Sequence, residues 1–413
     1  MDVMIWPPEN PVTAEIVLPP SKSESARLVI IRALTPGIEP DQAGLSGCDD
    51  TRAILAGVSA ADNAIVDVGP AGTAMRFLTA YYAATPGRSV TIDGNERMRQ
   101  RPIGPLVDAL RQCGASVEYL GAEGFPPLRI DGRVLTGGDV WIDATVSSQF
   151  ISALMMVAPV MERGITLRLL GRTASRPYVE MTAGLMRMAG AEVEAGSDCI
   201  RVEPGRYRPF VYEAEGDWSA ASYWFEIAVL SSGSIRLKPL YDKSLQGDRR
   251  VESLMRVTGL IARRTADGSV IPTPTIYAEP QVVADLSNTP DLAQTMAVTC
   301  CLTGTRFLFT GLDSLTIKET DRLAALQSEL HKLGYNVVIN KPGMLEWQGM
   351  ERDTDECPAP IETYGDHRMA MAFAPAAIFH PGLRICGAEC VSKSYPGFWA
   401  DMEAAGFTID YIY

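Results

Sequence analysis

Five times along the chain an amphipathic helical pattern ends in a glycine and passes at once into a short alternating run. The glycines are Gly114, Gly190, Gly259, Gly334 and Gly406, roughly 70 residues apart. A glycine just past a helix marks a left-handed turn, where any Cβ would carry a steric penalty. Such punctuation at near-constant spacing points to a repeated supersecondary unit. Stretch 51–68 reads as a degraded sixth copy. Short β-rich runs lie within the units, at Val90-Thr91-Ile92, Val140-Trp141-Ile142, 165–169, Ile235-Arg236-Leu237, 306–309 and Leu383-Arg384-Ile385. The reading is an α/β chain of about six repeats. Its 413 residues exceed what one core accommodates, so two domains are expected.

The chain carries 37 Lys and Arg against 50 Asp and Glu, a net charge of −13. That balance argues against general binding to nucleic acid or to anionic membranes. Any cationic site must be local. The eight cysteines (Cys48, Cys113, Cys199, Cys300, Cys301, Cys357, Cys386 and Cys390) form no C-x-x-C pair, and there are three histidines. Neither a structural zinc site nor a disulfide framework is expected. The start of the chain lacks the regions of a signal peptide, and the longest apolar run, 150–160, is too short to span a bilayer. A soluble, reducing, cytoplasmic setting follows as the expectation. Stretch 341–360 reads as the most loop-like.

Many helix starts carry anion-ready chemistry. Pro19 and Pro20 bar a helix before Ser21, so Ser21 or Ser23 caps one running through Leu34, with Lys22 and Arg27 in its first turns. Gly72, Thr73 and Arg76 open another, Ser147, Ser148 and Gln149 a third, and Ser175 precedes a Pro-containing start. Asp217, Asp291 and Asp366 stand at further starts. A helix N-terminus offers unpaired N–H groups and partial positive charge. Cations sit in the same segments: Lys22, Arg27, Arg76, Arg101, Lys318, Arg322, Arg368 and Lys393. Together they suit a small substrate bearing phosphates or carboxylates; the plain alternative is ordinary caps and scattered surface charge.

In Ile317-Lys318-Glu319-Thr320-Asp321-Arg322, Glu319 and Arg322 stand three apart and can share a helix face. A carboxylate among cations can carry a proton, or can be one half of a salt-bridged turn. Asp291 admits a capping role as well as a catalytic one. His367, between Asp366 and Arg368, lacks the partners a metal site needs, and 369–373 reads as Met-rich core.

The ordered set Ser21-Lys22-Ser23-Glu24-Ser25-Ala26-Arg27, Ala71-Gly72-Thr73-Ala74-Met75-Arg76, Arg101-Pro102-Ile103-Gly104, Ser147-Ser148-Gln149, Ile317-Lys318-Glu319-Thr320-Asp321-Arg322 and Asp366-His367-Arg368-Met369-Ala370 resembles the 5-enolpyruvylshikimate-3-phosphate synthase family of enolpyruvyl transferases. The resemblance spans nearly the whole chain. It implies two inside-out α/β barrels, each of three βαβαββ repeats, with the active site in the interdomain cleft. It places one discontinuous domain at 1–21 plus 214–413 and the other at 22–213. It implies transfer of the enolpyruvyl group of phosphoenolpyruvate to the 5-hydroxyl of shikimate 3-phosphate, with no metal, cofactor or partner, by a monomer.

Residue by residue, the resemblance gives Lys22, Ser23, Arg27, Ser147, Ser148, Gln149, Ser175, Asp291 and Lys318 to shikimate 3-phosphate. It gives Lys22, Gly72, Arg101, Gln149, Arg322, Arg368 and Lys393 to phosphoenolpyruvate. Asp291, Glu319 and Lys22 share the proton transfers, and the division among them stays open. Ala26 and Pro70 depart from an asparagine that many members carry, and Thr316 from a common arginine. The related transferase acting on UDP-N-acetylglucosamine usually has a cysteine in the loop before Arg-Pro, and 93–100 has none. A non-catalytic phosphometabolite-binding protein would need the cations but neither Asp291 nor Glu319.

Overall fold

A computed structural model describes residues 1–350 and 359–413; Cys357 and the acidic cluster around it lie outside the described residues. By its internal contacts the chain divides into two units. The split unit comprises Met1–Pro19 and Glu215–Tyr413, and the inserted unit Pro20–Ala214.

The split unit opens with β1 (Asp2–Trp6) and β2 (Thr13–Val17). The inserted unit begins with α1 (Lys22–Ala33) and α2 (Asp49–Val58). One repeat follows as β3 (Ile65–Asp67), α3 (Gly72–Ala83), β4 (Ser89–Asp93), α4 (Gly104–Gln112), β5 (Ser116–Tyr119) and β6 (Leu128–Asp131). A second follows as β7 (Gly138–Asp143), α5 (Ser148–Val157), β8 (Ile165–Leu170), α6 (Arg176–Met188), β9 (Val193–Ala195) and β10 (Cys199–Val202). Their sheets share one order, β3-β4-β6-β5 and β7-β8-β10-β9. In both, the first pair is parallel and the others antiparallel.

The split unit resumes with α7 (Trp218–Leu230), β11 (Ser234–Lys238), α8 (Val251–Met255), β12 (Leu260–Arg264) and β13 (Val270–Pro274). β2 pairs in parallel with β11 and supplies the first strand of that repeat. The next is β14 (Gln281–Asp285), α9 (Ala293–Leu302), β15 (Arg306–Thr310), α10 (Arg322–Lys332) and β16 (Leu345–Trp347). The last is β17 (Ile361–Glu362), α11 (His367–Phe373), β18 (Leu383–Cys386), α12 (Phe398–Ala404) and β19 (Thr408–Ile412). Here β1 is the fourth strand, between β18 and β19.

The five marking glycines all take the left-handed conformation, with φ from +86° to +101°. After four of them the next residue donates back five positions, as in Ala115 N to Leu110 O (3.0 Å) and Phe407 N to Met402 O (3.1 Å). This is the closure that satisfies a helix's last carbonyls.

The repeat is imperfect in three places. After Gly334 the chain makes a single bridge, Val338 to Glu346, because Val337 N turns back to Tyr335 O at 3.0 Å. Stretch 51–68 runs from α2 into β3, the parallel first strand of the next sheet, and Asn63 takes the positive φ there. Residues 34–48, rich in Gly and Pro, carry no strand, so α1 and α2 stand without a sheet of their own. Within the loop-like stretch 341–360, residues 345–347 form β16.

All ten residues of α9 and all seven of α11 are buried, as are eleven of the twelve in α3. Helices buried on every side belong in an interior. The strands alternate buried and exposed positions, as in β7 and β14. Each unit therefore places helices inside and open sheets outside, the inside-out α/β arrangement. Among the described residues no helix is long and apolar enough to cross a membrane.

Candidate active site

In the split unit the site is built around Arg322. Asp321 caps α10, accepting from Leu323 N (3.1 Å) and Ala324 N (3.2 Å). That cap sets Arg322 at the first helical position with 2% exposure. Its guanidinium donates to three carboxylates: Asp366 Oδ2 (2.6 Å), Asp291 Oδ1 (2.8 Å) and Glu319 Oε2 (2.9 Å). Asp366 also caps α11, accepting from Arg368 N at 2.9 Å. Arg368 reaches Asp291 Oδ2 (3.1 Å) and Ser219 Oγ (3.4 Å). Lys318 Nζ stands 3.7 Å from Asp291, and Lys393 Nζ 2.7 Å from Glu319 Oε1.

Four cations thus meet three carboxylates. A buried charge is tolerated only when paired and hydrogen-bonded, which this network achieves. Burial works against the charge on Arg322, but Asp366, Glu319 and Asp291 outweigh it and raise its pKa. Beside them the Ser219 hydroxyl donates to Asp248. Burial, with the charge of Asp291, pushes the Asp248 carboxyl up to about 6, against the pull of Arg368.

The pairing of Glu319 with Arg322 is present, although Glu319 precedes the helix. Asp291 lies in the short 3-10 helix Pro290–Leu292, its carboxylate turned to the cations. His367 is buried, with Nδ1 3.6 Å from Asp366. Asp366, Asp248 and Ser219 are members that the sequence reading did not assign to the site. Asp366 had a signal, its place in the Asp366-His367-Arg368 motif; Asp248 had none.

The inserted unit uses other means. Of the two serines, Ser21 caps α1, accepting from Glu24 N at 3.4 Å. Lys22 lies 3.5 Å from the buried Asp50 carboxylate. Arg27 is buried among α1, α5 and α6, donating to Thr182 Oγ1 (2.7 Å), Ser23 O (2.9 Å), Ser152 Oγ (3.0 Å) and Tyr178 O (3.2 Å). Burial lowers its pKa to about 10, with Tyr178 and Glu24 opposing. Ser147 caps α5 through Gln149 N (3.2 Å), and Ser148 is its buried first residue. Ser175 holds a left-handed φ of +52° before α6.

Gln149 Nε2 donates to Thr73 Oγ1 at 3.1 Å, joining the start of α5 to that of α3. Ala71, which precedes α3, has no side-chain acceptor for its first N–H groups. Over Gly72, the first residue of α3, lies the Arg101 guanidinium. A Cβ there would come within 2.7 Å of Arg101 Nη1 and 2.9 Å of Cζ and Nη2. The inserted unit thus brings Gly72, Thr73, Arg101 and Gln149 together. No His, Cys, Asp and Glu grouping fit for a metal occurs among the described residues.

Cations held by buried carboxylates on one unit, and helix starts with hydroxyls and arginines on the other, define an enzyme that handles small polyanions. The family model EPSP synthase (3-phosphoshikimate 1-carboxyvinyltransferase) matches residues 49–402. A protein of Bacteroides fragilis named 3-phosphoshikimate 1-carboxyvinyltransferase is 48% identical over 400 residues, 96% of each chain. One of the same name from Methanoculleus marisnigri is 34% identical over 433 aligned positions, covering 96% of this chain and 98% of its own. The solved EPSP synthase of Acinetobacter baumannii superposes with a TM-score of 0.79 at 20% identity, over 99% of this chain and 100% of that one. The chain belongs to the EPSP synthase (3-phosphoshikimate 1-carboxyvinyltransferase) family.

Proposed function

We propose that this chain transfers the enolpyruvyl group of phosphoenolpyruvate to the 5-hydroxyl of shikimate 3-phosphate, releasing phosphate. The observation that carries this reading is the network joining Asp291, Glu319 and Asp366 to Arg322, Arg368, Lys318 and Lys393. Substrate phosphate and carboxylate groups compete for those cations. Each exchange of partner releases a carboxylate to take up a proton. Asp291 accepts from the attacking 5-hydroxyl, and Glu319 serves the methyl carbon of the tetrahedral ketal, with Lys22 and the arginines holding developing charge.

Ser23, Arg27, Ser147, Ser148, Gln149 and Ser175, with Lys22, Asp291 and Lys318, hold shikimate 3-phosphate. Gly72, Arg101, Arg322, Arg368 and Lys393, with Lys22 and Gln149, hold phosphoenolpyruvate. The reading calls for a cytoplasmic monomer working without metal, cofactor, nucleic acid or membrane. Phosphate release, followed with both substrates and with each omitted in turn, tests it. Release is expected only with both. Release from phosphoenolpyruvate alone, or none with the pair, would overturn it.

A further inference from the structure

We infer that Arg76 is a positioning residue for phosphoenolpyruvate: it locks the start of α3 to the loop carrying Arg101. This rests on the reading above that Gly72 and Arg101 contact that substrate. Arg76 stands one helical turn into α3 and is 4% exposed. Its Nη1 donates to the Gly72 carbonyl at 3.1 Å, and its Nη2 to the Pro102 carbonyl at 2.9 Å. Nη1 also lies 3.4 Å from Met98 Sδ, and the guanidinium sits 6.0 Å from the Phe150 ring centroid.

The two carbonyls belong to the residue beneath the Arg101 guanidinium and to the residue directly after Arg101. One planar fork therefore ties both elements to a single buried group. The loop has further ties of its own, Asn95 N to Gly69 O (3.1 Å) and Met98 N to Asn95 Oδ1 (2.9 Å). Nearer Arg101, its own N–H turns back to Met98 O (3.0 Å) and Ile103 N reaches Gly124 O (2.9 Å); Arg76 adds the tie from Pro102 to the start of α3. An arginine bound to two carbonyls is a strut, because its donors are fixed in a plane. A lysine at the same place keeps the charge but has one rotatable donor group and cannot reproduce the fork.

Steady-state kinetics of Arg76→Lys, Arg101→Ala and the double variant test the assignment, with the urea midpoint of each measured alongside. Arg76→Lys is expected to raise the KM for phosphoenolpyruvate roughly tenfold, since small misplacements of a binding group are costly. The KM for shikimate 3-phosphate should stay within about twofold. Adding Arg76→Lys to Arg101→Ala should cost little more, because Arg76 acts through Arg101. A role in stability alone would shift the urea midpoint and leave both KM values in place, which would overturn the inference. So would full additivity of the two substitutions, or an unchanged phosphoenolpyruvate KM in Arg76→Lys. If Arg101→Ala itself leaves that KM unchanged, the assignment of Arg101 fails and takes the inference with it. Should Arg76→Lys not fold, Met98→Ala loosens the same loop without touching a charge, and the same selective rise in KM is expected.

Discussion

The two units bury their arginines in different ways. In the split unit four cations are paired with Asp291, Glu319 and Asp366, most of them nearly out of water. In the inserted unit Arg27 and Arg76 are buried against carbonyls and hydroxyls. Carbonyls and hydroxyls carry no charge near neutral pH, whereas a carboxylate is an anion that can accept a proton. On the reading proposed above, the carboxylates that take part in proton transfer, Asp291 and Glu319, both belong to the split unit.

Removing a carboxylate from the split unit should break that contrast most sharply. Asp291→Ala is expected to lower turnover by roughly 10²–10⁴ with the fold retained. Turnover within a few-fold of the parent would take Asp291 out of the chemistry. A smaller effect sharpens the role of the fourth acid. The Asp248 carboxyl is raised to about 6 from the ordinary 3.8. The folded chain then holds that proton more tightly than the unfolded chain does. Stability is lost as pH rises between those two values, and the loss is complete above about 6. Asp248→Asn should therefore gain about 2–3 kcal/mol relative to the parent between pH 4 and pH 8. Equal differences in urea titrations at the two pH values would show that Asp248 titrates normally. Smallest is a change of shape on the inserted unit. Gly72→Ala pushes Arg101 aside, since its methyl would stand 2.7 Å from Nη1. The expected result is a KM for phosphoenolpyruvate raised about tenfold with kcat nearly unchanged. A fall in kcat instead would show that Gly72 bears on the chemistry as well as on binding.

The repeats were legible because their signal is local. A helix that closes on a left-handed residue selects glycine, and five glycines could be counted without any long-range contact. The Lys318–Arg322 motif was legible for the same reason, being a run of charged residues at one helix start. Pairings across the chain were not. β1 joins β18 and β19, and β2 joins β11, through backbone bonds that leave no mark in side-chain order. The partner of Arg322 at Asp366 is 44 residues away, and its partner at Asp291 is 31 away. Burial of Asp248 depends on the packing of α7 against the 247–250 turn, which composition does not encode.

That β1 is hydrogen-bonded to β19 has a bearing on biosynthesis. In order of synthesis β1 precedes both of its sheet neighbours, β18 and β19, by nearly four hundred residues. The inserted unit is continuous in sequence and can mature while translation proceeds, as domains generally do. The split unit must wait: β2 stays unpaired until β11 is made, and β1 until β18 and β19 have emerged. Ribosome-bound chains halted before β18 would present one half of the enzyme finished and the other still looking for its closing partners.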